Sequence, residues 1–535
     1  MIKNISLTLI FFICTTFING QNVPKLFKIE GYQPNLESSE TQLSNSISDI
    51  LIVGDTIWLG TSRGLSRSTN NGSSWTNFYG TYNYGEESIS AIGYYNGIIF
   101  VATAFSEEIN NQDVSTGGGI RFSTDNGTSW DYIPQPLDEP DDSIIIYGVN
   151  NIRALPITVP QQNIIYDIAF TPNTIWITSW SGCLRKCNIT NLIANPDTKW
   201  ERVVLPPDYL SEISPDDILT FSLQPQSGSF GPEAYLNHVA FSVISTDDTT
   251  LYVGTANGIN KSTDGGVSWK KFNHTNQDYP ISGDFITALA YDTLNSSIWA
   301  STWKAEGSTE FYGLSSTFDG GATWQTFLPE EKPHNMSFKY YSKNSEKKSD
   351  VLVATDNGLF RSSDTGISWS NVPPIKDDIT KISINTYEFL GVNTAFKSSS
   401  LSEIWIGSGN GLVKTTETAN DFWNGSWKVF IASQPLESNT DTYAFPNPFS
   451  PEFEQVKLIY NTNNKTTDVT IRIFDFGMNL VRTLIQNAER SAGFDQIEYW
   501  DGHDENGKIV PNGVYFYRID IHNDTPIFGK IMVLR

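Results

Sequence analysis

The octet Ser262-Thr263-Asp264-Gly265-Gly266-Val267-Ser268-Trp269 constrains this chain more than any other stretch. An apolar run, Leu251-Tyr252-Val253, passes through Gly254-Thr255 and an Asn257-Gly258 turn into a second strand that ends in this octet. In the pattern Ser/Thr-x-Asp-x-Gly-x-x-Trp the aspartate can accept backbone N–H groups, the glycine can adopt the positive φ of a tight connection, and the tryptophan can pack back over the turn. The same pattern occurs at Ser123, Asp125, Gly127 and Trp130, at Thr317, Asp319, Gly321 and Trp324, and at Ser362, Asp364, Gly366 and Trp369. Ser68 to Trp75 repeats it with Asn70 in the acidic position. These aspartates are expected to be turn residues rather than catalytic ones.

A strand precedes each box and also appears where no box follows. It is found at 56–61, 98–103, 174–179, 251–255, 297–302, 351–355 and 403–408, making seven units. Trp200 and Trp427 are candidates for the tryptophan position in the two units without a clean box. Further apolar runs, such as Ser88 to Tyr95 and Phe285 to Tyr291, precede these strands and fit the inner strand of a four-stranded blade. The five boxes resemble the Asp-box (BNR) repeat of sialidases, sortilin-type receptors, xyloglucanases and photosystem assembly factors. Repeat count and resemblance together predict an all-β protein, a seven-bladed β-propeller within residues 21–435. Leu26 to Ile29 is a candidate extra strand for the last blade.

Composition narrows the partners. With 35 basic and 59 acidic side chains, the formal charge of -24 argues against nucleic acid and anionic membrane. Residues 1–20, MIKNISLTLIFFICTTFING, have the layout of a secretory signal peptide, which predicts a secreted or cell-surface chain with no transmembrane segment after cleavage. Cys14 lacks the small preceding residues of a lipoprotein signal. Cys183 and Cys187 would lie about 13 Å apart on one extended strand, so they are either two free thiols or a disulfide across a turn or bulge.

Blade geometry predicts where ligands could bind. With strands A to D in order, the boxes occupy C–D turns on one face, whereas B–C turns and D–A connections lie on the other. Extra length falls at 131–163 and 201–237, expected as D–A connections, and at 105–117 and 303–312, expected as B–C connections. All four insertions are therefore expected to crowd the face opposite the boxes, where long loops on a rigid scaffold carry function. Phe105, Trp180, Trp303, Phe311, Tyr312 and Tyr235 are the candidate binding residues. The surrounding acids are Asp138, Glu139, Asp141, Asp142, Asp216, Asp217, Glu233, Glu306 and Glu310.

Polar residues from Ser433 to Thr440 end the register, placing a linker at 436–442 and a second domain at 443–535. Val469, Ile471 and Ile473 alternate with polar positions, and Pro511-Asn512-Gly513 marks a turn, which suits a small immunoglobulin-like β-sandwich. Phe445-Pro446-Asn447-Pro448-Phe449, Trp500-Asp501-Gly502-His503-Asp504-Glu505-Asn506-Gly507 and Asn512-Gly513-Val514-Tyr515 resemble the FlgD-like immunoglobulin domain and the C-terminal sorting domain of type IX secretion cargo. The resemblance implies sorting, surface attachment or an encounter with secretion machinery.

Catalytic signals are sparse. Ile152-Arg153-Ala154-Leu155-Pro156 is a displaced version of the arginine motif that sialidases carry before their first box, and Gly60-Thr61-Ser62-Arg63-Gly64 matches Gly-x-Ser-x-Gly with no helix behind it. The five histidines show no metal-ligand spacing, so no cofactor or metal is expected, with calcium at Asp501, Asp504 and Asn506 as the exception considered. The expectation is a non-catalytic propeller binding a glycan or a surface protein through its insertion loops. A secreted glycoside hydrolase using acids of those loops is the alternative.

Overall fold

In a computed structural model, the described residues run from 41 to 534 except for 81–83, 86, 111, 224–234, 306, 385, 399–400, 433–440, 446, 453–454, 464, 491–494 and 523. The leader, Leu26 to Ile29, Phe230, Glu233, Glu306 and most of the linker lie outside them. The described residues divide into two compact units, the first made of residues 41–105 and Val114–Ile431 and the second of Ser106–Asp113 and Ala432–Arg535.

Among the described residues the first unit is a ring of seven antiparallel sheets, each built on four consecutive strands, with a fifth added to one of them. Inner strands A are Ile47–Val53, Ser88–Tyr95, Ile165–Thr171, Ala240–Ser245, Phe285–Asp292, Pro333–Lys343 and Phe389–Ser398, defining blades I to VII. Each inner strand packs on the next, and the seventh returns to the first. Strands B coincide with the repeated strands of the sequence and are almost wholly buried, for example Ser297–Trp303 and Leu251–Thr255. Both of their faces are covered by neighbouring blades, which is why apolar and small residues run through them without alternation. Blade VII is complete with its own four strands and closes on blade I, where Asn393 Nδ2 donates to the Ile50 carbonyl (2.7 Å).

Every inner strand is bulged at the same place, between residues 47 and 49, 89 and 91, 165 and 167, 240 and 242, 286 and 288, 333 and 335, and 389 and 391. The residue after the bulge often reaches across to the next blade. Asp49 accepts from Ile92 N–H (3.1 Å), Asp167 from Val243 N–H (2.9 Å), Ser242 from Leu289 N–H (3.0 Å) and Asn335 from Val392 N–H (3.2 Å). Inner strands are the open edges of their sheets, and a short polar side chain from the neighbouring blade pairs the backbone donors that face outward there.

The boxes join blades as well as shaping hairpins. Ser262 Oγ accepts from Gly266 N–H (2.9 Å), while Asp264 accepts from Val267 N–H (3.1 Å), Ser268 N–H (2.9 Å) and Ser268 Oγ (2.6 Å). The same cage recurs at Ser123/Asp125, Thr317/Asp319 and Ser362/Asp364. Each box glycine presses on the preceding blade. A Cβ on Gly266 would lie 2.5 Å from the Trp176 ring, on Gly127 2.8 Å from Trp58, on Gly321 2.6 Å from Phe272, and on Gly366 2.6 Å from Phe327. The box tryptophans follow, with Trp130 edge-on to Trp58 at 6.1 Å and Trp369 edge-on to Trp299 at 6.3 Å.

Blades III and VII lack the cage. Trp200 precedes strand D of blade III and is buried beside Phe100, as expected for the tryptophan position. In blade VII that role falls to Trp423, buried against Arg361 of blade VI, while Trp427 sits on strand D and stacks on Trp423. Strand C of blade III, Cys183–Asn188, is extended and holds both cysteines as free, buried thiols, so the disulfide alternative fails. Burial raises the thiol pKa values to about 12 for Cys183 and about 11 for Cys187.

The second unit is a β-sandwich with a three-stranded sheet (Thr442–Phe445, Val456–Asn461, Asp495–Trp500) facing a four-stranded one (Leu480–Arg490, Thr467–Phe474, Gly513–Ile521, Ile527–Val533). Leu458, Tyr460, Trp500, Ile471, Tyr517 and Ile531 fill the space between them. Strands Thr442–Phe445 and Leu480–Arg490 are additional to those legible in the sequence. Asp504 Oδ1 accepts from Asn506 and Lys508 N–H, and Asp501 Oδ1 from His503 N–H and Arg482, the arrangement of an acidic hairpin turn.

Candidate functional site

Two of the four insertions do not crowd the face opposite the boxes. Within 131–163 the hairpin Ile144–Tyr147 and Asn150–Arg153 lies along the outer edge, where Tyr147 Oη donates to the carbonyl of Val267 in the blade IV box (2.8 Å). Within 201–237 the strand Glu212–Ile213 pairs with Trp269 and Lys270 as a fifth strand of blade IV. The two insertions also bridge each other at Ala154 and Leu223. Their apolar residues Tyr147, Ile152 and Ile213 share a core with Trp269 and Trp176, so burying that surface draws the loops over the rim. Asp138 is consumed there as well, paired with Arg185 (2.7 Å) and Arg202 (3.3 Å). Arg153 of the sialidase-like motif is exposed on this rim hairpin.

On the loop face a cup of about 220 Å³ opens between blades IV and V. Its polar lining is Asp208 from the rim insertion, Asn257 from the B–C turn of blade IV, Asn273 and Thr275 after strand D, Asp284 just before strand A of blade V, and Glu310 in the B–C insertion 303–312. Glu310 organises the insertion by accepting from Ala305 N–H (2.7 Å), Gly307 N–H (2.7 Å) and Asp284 N–H (3.0 Å). Asp284 accepts from His274 N–H (2.6 Å), and burial, reinforced by the nearby Glu310 charge, lifts its pKa to about 6. Asp208 is also raised by burial, against hydrogen bonds from Asn237 and Leu236 N–H. Behind the cup, burial lowers Lys271 to about 8, and its ammonium donates to the Pro207 and Asp208 carbonyls.

An aromatic cluster adjoins the cup through Leu236, Ala256 and Ala305, which belong to both. Phe241 lies 4.5 Å from Phe285, 5.5 Å from Tyr166 and 5.7 Å from Trp180, and Trp303 packs edge-on to Tyr312 at 6.0 Å. Of the residues singled out in the sequence, Trp180, Trp303 and Tyr312 meet here. Trp180 and Tyr312 are half-buried, whereas Trp303 is buried and its indole N–H donates to the Pro333 carbonyl (2.8 Å), which makes it structural. Phe311 is half-buried beside Tyr312. Tyr235 is buried in the rim core near His238, and Phe105 ends up on the long strand B of blade II, outside this cluster.

Sequence reasoning missed Tyr166, Phe241 and Phe285, and also Asp208, Asp284, Asn257 and Asn273. Tyr166 and Phe241 occupy the bulge position of their inner strands, so bulge register would have found them. Gly60-Thr61-Ser62-Arg63-Gly64 is the repeating B–C turn of the propeller. Thr61 Oγ1 donates to the Gly64 carbonyl (2.7 Å), as Thr255, Thr355 and Ser408 do at Gly258, Gly358 and Gly411. A larger groove of about 520 Å³ lies at the seam between the rim strand, strand D of blade IV and the blade V box, where Lys261 and Lys270 offset Glu212, Asp217 and Asp319.

Fold and site define the class: a seven-bladed β-propeller with an acidic, aromatic-flanked cup on its loop face, followed by a β-sandwich. No protein-family model and no curated protein matches the sequence. Among solved structures the chain is similar to PorZ, a bacterial surface component of the type-IX secretion system of Porphyromonas gingivalis, at 13% identity and a TM-score of 0.39, covering 90% of this chain and 64% of that one. It is also similar to an ancestral GH74 enzyme (13% identity, TM-score 0.48, 93% and 63% covered) and to YCF48 from Cyanidioschyzon merolae (14%, 0.41, 75% and 100%). The chain thus spans less than two thirds of the length of the first two. The seven closed sheets, rather than these distant likenesses, carry the assignment of the fold. Among the described residues no helix is long and apolar enough to cross a membrane.

Proposed function

We propose that this is an exported, non-catalytic propeller that binds a glycan in the cup between blades IV and V, with the β-sandwich serving sorting or surface attachment. The observation that carries the reading is the cup itself, where carboxylates and side-chain amides stand beside half-buried aromatic rings. Carboxylates and amides hydrogen-bond to hydroxyls, and ring faces cover the apolar side of a sugar. The hydrolytic alternative needs two carboxyl groups free to exchange protons and flank a bond. Glu310 is committed to three backbone donors, which supports a binding role.

The test is a glycan-array screen of the full chain, followed by reducing-sugar release on any ligand found. Binding without release, lost in Asp284→Asn and in Asn257→Ala, is the expected result. Release abolished by Asp284→Asn would establish the hydrolase instead, and absence of glycan binding would redirect the site to a protein ligand. Removal of 432–535 is expected to leave glycan binding intact and abolish surface retention, read by fractionation of expressing cells.

A further inference from the structure

Histidines scattered in sequence are brought beside carboxylates by the ring, and one such meeting has the chemistry of a metal site. His334 occupies the bulge of strand A in blade VI, Asp356 follows strand B in the B–C turn of the same blade, and Glu388 immediately precedes strand A of blade VII. His334 Nε2 lies 2.6 Å from Asp356 Oδ1, and one donor atom from each of the three residues lies within 4.8 Å of the other two. The imidazole is nearly enclosed, with its side chain 5% exposed and the Trp303 ring edge-on at 5.7 Å. Glu388 is exposed and leaves the cluster open on one side.

We propose that His334, Asp356 and Glu388 bind a divalent transition-metal ion, represented by zinc. One imidazole nitrogen with two carboxylate oxygens is a mixed set that suits zinc, whereas magnesium and calcium take oxygen ligands. Zinc bonds to such atoms are about 2.0–2.2 Å long, which sets donors about 3.4 Å apart around a tetrahedron. The His334–Asp356 contact must open and Glu388 must close in, both by side-chain rotation at the end of a turn or loop. Two carboxylates balance the charge of a dication, and the open side leaves room for a water as fourth ligand. Lys332 Nζ, 3.8 Å from Asp356 Oδ2 and poised over the Tyr312 ring, competes with the ion for that carboxylate.

The experiment is calorimetric titration of the EDTA-dialysed full chain with zinc chloride, with bound metal counted by mass spectrometry. One equivalent is expected, together with a zinc-dependent rise in melting temperature, and magnesium chloride should produce neither. Glu388→Gln, at an exposed position where folding is not at risk, should weaken zinc binding roughly tenfold or more, comparable to losses on disturbing metal sites. His334→Gln should do the same, and Lys332→Gln should tighten binding. No zinc uptake, or equal uptake by the wild type and Glu388→Gln, would overturn the proposal.

Discussion

Blades IV and VII solve the same packing problem with opposite chemistry. In blade IV the joint to the preceding blade is an exposed turn, whose carboxylate cages backbone donors so that Gly266 and Trp269 can press on Trp176. In blade VII the turn lacks the cage, and buried ions replace it. Arg361 donates to Asp350 Oδ2 (2.6 Å) and Glu417 Oε2 (2.9 Å), Lys339 Nζ donates to the same Glu417 oxygen (2.6 Å), and Glu417 Oε1 receives Trp423 N–H (2.9 Å). These four charged side chains are at most 1% exposed. Blade III lacks the cage too, and its Trp200 is seated by an apolar cluster with Phe100 and Phe122. A local turn motif is therefore one way to seat a tryptophan between blades; blade VII draws charges from distant segments instead.

The largest expected effect comes from breaking the buried network. Arg361→Leu removes the only ion pair that Asp350 makes among the described residues and one of the two cations on Glu417, and should cost about 3–5 kcal/mol in denaturant unfolding. A loss as small as that of a surface pair would show that the network tolerates solvent and would collapse the distinction between the two plans. Next, Gly266→Ala places a methyl against Trp176 at a φ of +80° and should cost about 2–4 kcal/mol from overpacking and left-handed strain combined. Gly265→Ala, where a Cβ meets nothing, should cost only the strain, so equal losses would refute the joint.

Asp264→Ala should cost about 1–2 kcal/mol, as for a lost helix cap, and Asp264→Asn only a few tenths. Blade I already uses Asn70, whose Oδ1 accepts from Ser74 N–H (2.9 Å) while Nδ2 donates to Ser74 Oγ (2.8 Å). An asparagine variant as damaged as the alanine one would mean that the charge, not the hydrogen-bond geometry, holds the turn.

A pH dependence separates boxes from inner-strand clasps. Hydrogen bonds from Ser129 hold Asp125 down at about 2, and those from Thr323 outweigh burial to do the same for Asp319, from an ordinary value of 3.8. Their stabilising contribution is present above pH 3.8 and lost as pH falls through about 2. Burial between inner strands raises Asp49 to about 6 and Asp167 to about 7. Their contribution is full below 3.8 and lost as pH rises through 6 to 7. Stability should therefore decline from about pH 4 to pH 7 and level off above it, and Asp49→Asn with Asp167→Asn should flatten that limb, since Asn335 already makes the same clasp without a charge. An unchanged slope would assign the decline elsewhere.

The blades and their boxes were legible in the sequence because each is local: a strand, a turn and a tryptophan within about twenty residues. The seven repeated strands became strands B, and every box became a caged C–D turn. The candidate site was legible only in part. Loop membership singled out Trp180, Tyr312 and the 303–312 insertion, which the fold brings beside the cup, but the route of a long loop depends on where its apolar residues find cover. For Ile152 and Ile213 that cover was the rim.

What the sequence by itself determined is thus the blade: apolar strands two-sided enough to be buried on both faces, and turns whose Ser, Asp and Gly satisfy their own backbone. What only the tertiary structure decided is which distant residues meet. Asp284 reaches Glu310, Arg361 reaches Glu417 and His334 reaches Glu388 because a closed ring sets inner strands and loop-face turns side by side. Hydrophobic periodicity specifies a burial pattern within one strand, and a ring brings together polar groups that share no period.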